Sequence, residues 1–167
     1  MVILHHGTLA TMDSDQFGRY LDLLDHPPQL TLGPDVTSLY LIYQHHMTRF
    51  AYSSIDLYLG RPPAEISVDA TMDDLPVRGG HCFQHVELLF NVLEYLGFEA
   101  TRVLARVLDG DTYIKGMTIN HIFLLVKFEG DTYLFDPGLA YASPRFSISI
   151  IDLGNLLLLL PYISGSQ

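Results

Sequence analysis

The sequence contains one cysteine, no tryptophan, and only 9 lysines and arginines against 19 aspartates and glutamates in 167 residues. One cysteine excludes an internal disulfide. That suits a reducing compartment such as the cytoplasm and leaves Cys82 as a lone thiol. The shortage of positive charge, a formal −10 with neutral histidines, opposes partnership with nucleic acid or with an anionic membrane surface. No apolar run approaches the about 20 residues a membrane-spanning helix needs. The five leucines at 156–160 are bracketed by Asp152, Gly154, Asn155 and Pro161. No basic stretch precedes Val2-Ile3-Leu4, so no secretory leader is expected. Residues 1–11 read as an irregular leader, with Met12 as an alternative start. What the chain does have is apolar material. Hydrophobic residues are 49% of it, which implies a packed core rather than disorder.

Helical spacing of Phe17, Tyr20, Leu21 and Leu24 predicts a first helix over 12–24, capped by Asp13 or Ser14 and stopped by Pro27-Pro28. A second helix is predicted over about 35–47, and a short strand over 66–68. Residues 76–80 read as a tight, glycine-bearing approach to the clearest helix, 82–96, with Gly97 as its C′ residue. That helix is apolar around most of its girth, as a central, covered helix should be. After Glu99 the pattern turns to short β-like runs at 101–108, 120–128 and 132–135. Glu129-Gly130-Asp131 forms a hairpin turn between the last two.

The helix start and the hairpin converge on three residues. Cys82 falls in the first turn of the central helix, where unpaired N–H groups and the helix dipole favour thiolate. Gly79 and Gly80 ahead of it permit close backbone approach. His121 opens one hairpin arm and Asp136 closes the other, so a turn at Gly130 brings them together. A thiolate, a histidine base and a carboxylate orienting that base make a nucleophilic site. Each residue also has an ordinary reading: a buried apolar cysteine, a satisfied strand-end histidine, a turn aspartate before Pro-Gly. His81, Cys82 and His85 share one helical turn, but no further ligand spacing supports zinc, so no metal is expected. The adjacent pairs His5-His6 and His45-His46 read as solvent-exposed.

Arg78-Gly79-Gly80-His81-Cys82-Phe83-Gln84 resembles the active-cysteine motif of the arylamine N-acetyltransferases. In order, Ile55-Asp56-Leu57-Tyr58-Leu59-Gly60 is similar to the segment upstream of that motif. Asn120-His121 with Ile122-Phe123-Leu124-Leu125-Val126 is similar to the family's histidine strand. Asp136-Pro137-Gly138 followed by Ser143-Pro144 is similar to its aspartate loop. The resemblance spans about residues 12–147. It implies a Cys82–His121–Asp136 triad and ping-pong transfer of an acetyl group from acetyl-CoA as co-substrate. The acceptor would be a small aromatic amine, hydrazine or N-hydroxyarylamine, as in xenobiotic metabolism. It also implies that Leu139, with Gly138 beside it, lines the acceptor pocket, and that Arg78, Gly79 and Gly80 are structural neighbours of the site. Gln84 replaces the family's usual Glu, which removes a charge partner expected for Arg78. Asn120 replaces a Thr, and Pro137, Leu139 and Ala140 alter the aspartate loop. The family carries a third domain of roughly a hundred residues beyond the span seen here.

The expected fold is α+β, an N-terminal helical bundle followed by an antiparallel β-barrel or sheet, with a cysteine-protease-like catalytic core. The divisions are 1–11, a helical subdomain 12–98, a β subdomain 99–147 and an atypical or truncated tail 148–167. A cysteine hydrolase or amide synthase using the same triad, and a shortened non-catalytic homologue, remain open alternatives. Core left uncovered by a missing domain would favour self-association.

Overall fold

The computed structural model describes residues 2–4, 12–25, 31–61, 65–107, 118–139 and 148–150. In order these form β1 (Val2–Leu4), α1 (Ser14–Leu23), α2 (Val36–Arg49), α3 (Ile55–Tyr58), α4 (Val68–Arg78), α5 (Cys82–Tyr95), β2 (Glu99–Ala105), β3 (His121–Phe128), β4 (Asp131–Phe135) and β5 (Ile148–Ile150). The strands form one antiparallel sheet in sequence order, β1-β2-β3-β4-β5. Among the described residues the sheet is open and does not close into a barrel.

Local chemistry accounts for the boundaries. Asp13 caps α1 by accepting from the Asp15 and Gln16 amides, and Gln16 returns a bond to the Asp13 amide. Asp35 caps α2 through the Ser38 amide. Gly97, at φ 86°, lets the chain leave α5. Glu129 and Gly130 both have positive φ, as a two-residue turn of the primed type requires, and they set the Phe128–Asp131 pairing.

α5 is the centre of the molecule. One side packs on β2 and β3 and another on α4. Val86, Leu88, Leu89, Val92 and Leu93 are fully buried, each contributing about 1.5–3 kcal/mol relative to exposure. Ala100, Ile122, Leu124, Val126 and Phe135 meet this core from the sheet. Val103, Phe123 and Leu125 form a second cluster on the opposite face. β3 is therefore covered on both faces, which explains its nearly unbroken apolar run. Arg102 lies over the Phe90 ring and pairs with Glu87 at 2.8 Å, a buried ion pair between β2 and α5.

Four expectations need correction. Residues 66–68 are not a strand: Ser67 caps α4, whose buried Val68, Thr71, Met72 and Leu75 lie on one helical face. Residues 76–78 belong to that helix, which runs through Pro76 to Arg78 and ends at Gly79. Residues 2–4 are not irregular but pair with β2. His46 is fully buried rather than exposed, and His45 is half-buried; His5 and His6 lie outside the described residues. Within the expected tail, 148–150 form the edge strand β5, and 151–167 lie outside the described residues.

Candidate active site

Cys82 opens α5, and its approach is built by glycines packed against the segment after α2. The Gly80 amide donates to the Ala51 carbonyl at 3.1 Å and the Ser53 amide donates to the Gly80 carbonyl at 2.8 Å, a short parallel bridge. Gly79 has φ 69°, and a Cβ there would stand 2.4 Å from the Ala51 oxygen. His81 caps α5 through the Phe83 amide, and the Gln84 side chain accepts from the His81 amide. Gln84 is thus spent on the helix cap. Arg78 does not lack an acidic partner, as the Gln84 replacement suggested. It pairs with Asp74, one turn back in α4, and with Asp56 of α3 at 3.5 Å. Arg78 therefore ties α4 to α3.

The hairpin supplies the other two groups. Continuing the β3–β4 register by one residue sets Asp136 opposite Phe123, so His121 is its diagonal neighbour on the same face. The His121 Nε2 and the Asp136 Oδ2 are 2.8 Å apart, and both residues are buried. The second carboxylate oxygen accepts from the Gly138 amide at 3.2 Å. The Tyr43 hydroxyl donates to the Asp136 carbonyl at 3.1 Å and locks the loop onto α2. Gly138 lies against Cys82: a Cβ on it would stand 2.3 Å from the cysteine Cβ. The structure therefore brings Cys82, His121, Asp136 and Gly138 into one place. Leu139, half-buried, follows at the end of the loop.

With Nε2 committed to Asp136, Nδ1 is the nitrogen His121 has left for the thiol. Burial alone would push the Cys82 pKa up, but hydrogen bonds from His121 and His81, the His121 charge and the Ile122 backbone bring it down to about 7. Burial pulls His121 down, but bonds to Asp136 and Cys82 and the charges on both raise it to about 9. At neutral pH this order favours a thiolate beside an imidazolium.

Two contributors escaped the sequence. They are Tyr43, within the second predicted helix, and His81, within the active-cysteine motif. Neither carries a local signal for its role. His85 turns away from Cys82 toward α2, and among the described residues no group of three His, Cys, Asp or Glu stands close enough to hold a metal ion.

An N-acetyltransferase family model matches residues 35–150. The arylamine N-acetyltransferase of Mycolicibacterium smegmatis is 34% identical over 110 residues, 63% of this chain and 40% of that protein. The pineal gland isozyme of Gallus gallus is 29% identical over 129 residues, 73% of this chain and 44% of that one. The solved arylamine N-acetyltransferase of Mycobacterium abscessus superposes with a TM-score of 0.74 at 25% identity, covering 89% of this chain and 51% of that one. The enzyme from Mycobacterium marinum, solved in complex with CoA, gives 0.68 at 27% identity, covering 79% and 49%. The chain thus spans about half the length of these solved structures and less of the curated relatives. With the family model covering most of its length, the chain belongs to the arylamine N-acetyltransferase family.

Proposed function

We propose that this chain transfers an acetyl group from acetyl-CoA to an aromatic amine, hydrazine or N-hydroxyarylamine by a ping-pong reaction at Cys82. The observation that carries the reading is His121, held at 2.8 Å by the buried Asp136 and hydrogen-bonded to Cys82. In the first half-reaction the Cys82 thiolate attacks the acetyl carbonyl. The oxyanion forms at the N-terminus of α5, where the helix dipole favours negative charge. The intermediate then expels CoA, whose sulfur takes the proton from His121. This leaves acetyl-Cys82, neutral His121 and free CoA. In the second, the amine nitrogen attacks the thioester carbonyl and gives its proton to His121. The C–S bond breaks, the acetylated amine departs, and thiolate and imidazolium are restored. Asp136 stabilises the imidazolium whenever His121 carries the proton, before the first half-reaction and at the end of the second. Gly138 and Leu139 border the acceptor side, and a reducing compartment such as the cytoplasm keeps Cys82 as a thiol. The bound CoA in the Mycobacterium marinum relative supports CoA as the donor's carrier here.

The test is intact mass after incubation with acetyl-CoA, beside Cys82→Ala. Gain of one acetyl group in the parent alone, discharged by an added arylamine, is expected. Discharge to water without transfer would replace the reading with a cysteine hydrolase. No gain in a folded sample would leave a non-catalytic homologue.

A further inference from the structure

A chain of buried polar groups runs behind the Cys82 loop and takes no chemical step in the acetyl transfer. The Tyr20 hydroxyl is 3.1 Å from His46 Nδ1, His46 Nε2 is 2.9 Å from His85 Nδ1, and His85 Nε2 is 3.3 Å from the Ala51 carbonyl oxygen. Tyr20 and His46 are wholly inaccessible and His85 is 1% exposed. The carbonyl end decides every proton along the line. A carbonyl only accepts, so His85 carries its proton on Nε2 and presents a bare Nδ1. His46 must then donate through Nε2 and accept on Nδ1, and Tyr20 must donate to it. One set of tautomers satisfies every group, and all of them are neutral. Burial favours this: it holds His46 well below the ordinary histidine range and His85 at about 4.

We propose that Tyr20, His46 and His85 form a one-directional hydrogen-bond relay that positions the Cys82 thiolate, with His85 as the residue that clamps it. The relay ends on the same Ala51 oxygen that receives the Gly80 amide. Gly80 lies two residues before Cys82 and His85 three after it, so both sides of the first turn of α5 are pinned to the segment after α2. The relay also joins α1, α2 and α5. A fully satisfied buried network of this kind rigidifies, whereas a broken one strands polar groups in a dry interior. The Tyr20 end is sealed from solvent, so the relay holds geometry and does not deliver protons.

The role in acetyl transfer rests on the function proposed above, but the test does not. The rate of Cys82 alkylation by iodoacetamide against pH reads the thiolate directly, with no acyl donor present. In His85→Leu the loosened helix start is expected to raise the midpoint by about one pKa unit, slowing alkylation at pH 7 about fivefold. His85→Gln, whose amide nitrogen stands where Nε2 stood, is expected to restore most of the rate. An unchanged midpoint in folded His85→Leu overturns the proposal, as does a His85→Gln variant as slow as His85→Leu. Should His85→Leu fail to fold, nitrogen-detected NMR of the unaltered protein decides. Both rings are expected as neutral Nε2–H tautomers at pH 7, and an Nδ1–H or charged ring on either overturns the relay. A parent that alkylates as predicted but takes no acetyl group would keep the relay and remove the acetyl-CoA reading.

Discussion

Asp136→Asn isolates the electrostatic part of the site, because it removes a charge and leaves the volume. In the native loop both carboxylate oxygens accept, one from His121 and one from the Gly138 amide. An asparagine has one oxygen for these two donors. If the oxygen stays with Gly138, its NH2 faces His121 Nε2 and opposes the imidazolium; if it turns to His121, the NH2 faces the Gly138 N–H. Either way His121 loses the group that contributes most to lifting it to about 9. With His121 raised to about 9 and Cys82 lowered to about 7, thiolate beside imidazolium is the favoured state at neutral pH. Without the carboxylate, the thiol midpoint should climb toward the ordinary value of about 8.5. Thiolate at pH 7 would fall from about half to about three per cent of molecules, an alkylation rate roughly fifteenfold lower. Because thiolate increases with pH, the variant should recover and converge on the parent above about pH 9.5. Intact mass after timed iodoacetamide exposure from pH 5 to 10 measures this. A folded Asp136→Asn protein whose midpoint stays near 7 would refute the argument that Asp136 sets the thiolate through His121.

Two further outcomes follow from the packing. Gly138→Ala places a methyl group 2.3 Å from the Cys82 Cβ, where backbone must move; we expect about 1–3 kcal/mol lost in urea unfolding and a clear drop in Cys82 alkylation. Acid should destabilise the fold through the buried histidines. His85 titrates at about 4 when folded and near 6.5 when unfolded, so as pH falls through that window the unfolded chain alone takes the proton. This removes about 3 kcal/mol by pH 4, with His46 acting in the same direction. His121, raised when folded, acts oppositely, its contribution present below about 6.5 and lost as pH rises through about 9. Urea midpoints at pH 7 and 4.5 should differ less in His85→Gln than in the parent; equal differences would refute the assignment.

What the sequence displays well is what depends on near neighbours. α5 announces itself through its apolar girth and Gly97, and the β3–β4 hairpin through Glu129-Gly130 and the alternation beyond it. The grouping of Cys82, His121 and Asp136 follows from those two elements, because each residue marks an element's end. What the sequence hides depends on tertiary partners. α4 is masked by Pro76, a residue that in sequence reads as a helix breaker but here sits in the helix's last turn. His46 gives no sign of burial, since its partners Tyr20 and His85 come from two other helices. β1 is three residues long and gains its strand character from pairing with β2, far along the chain.

The contact between Gly138 and Cys82 also has a steric consequence. The loop closes one flank of the cysteine at its Cβ, so any group joined to the sulfur must occupy the other side. An acceptor must then reach the thioester from that open side as well. A glycine with no side chain would in this way give donor and acceptor one shared approach, which they can use only in turn.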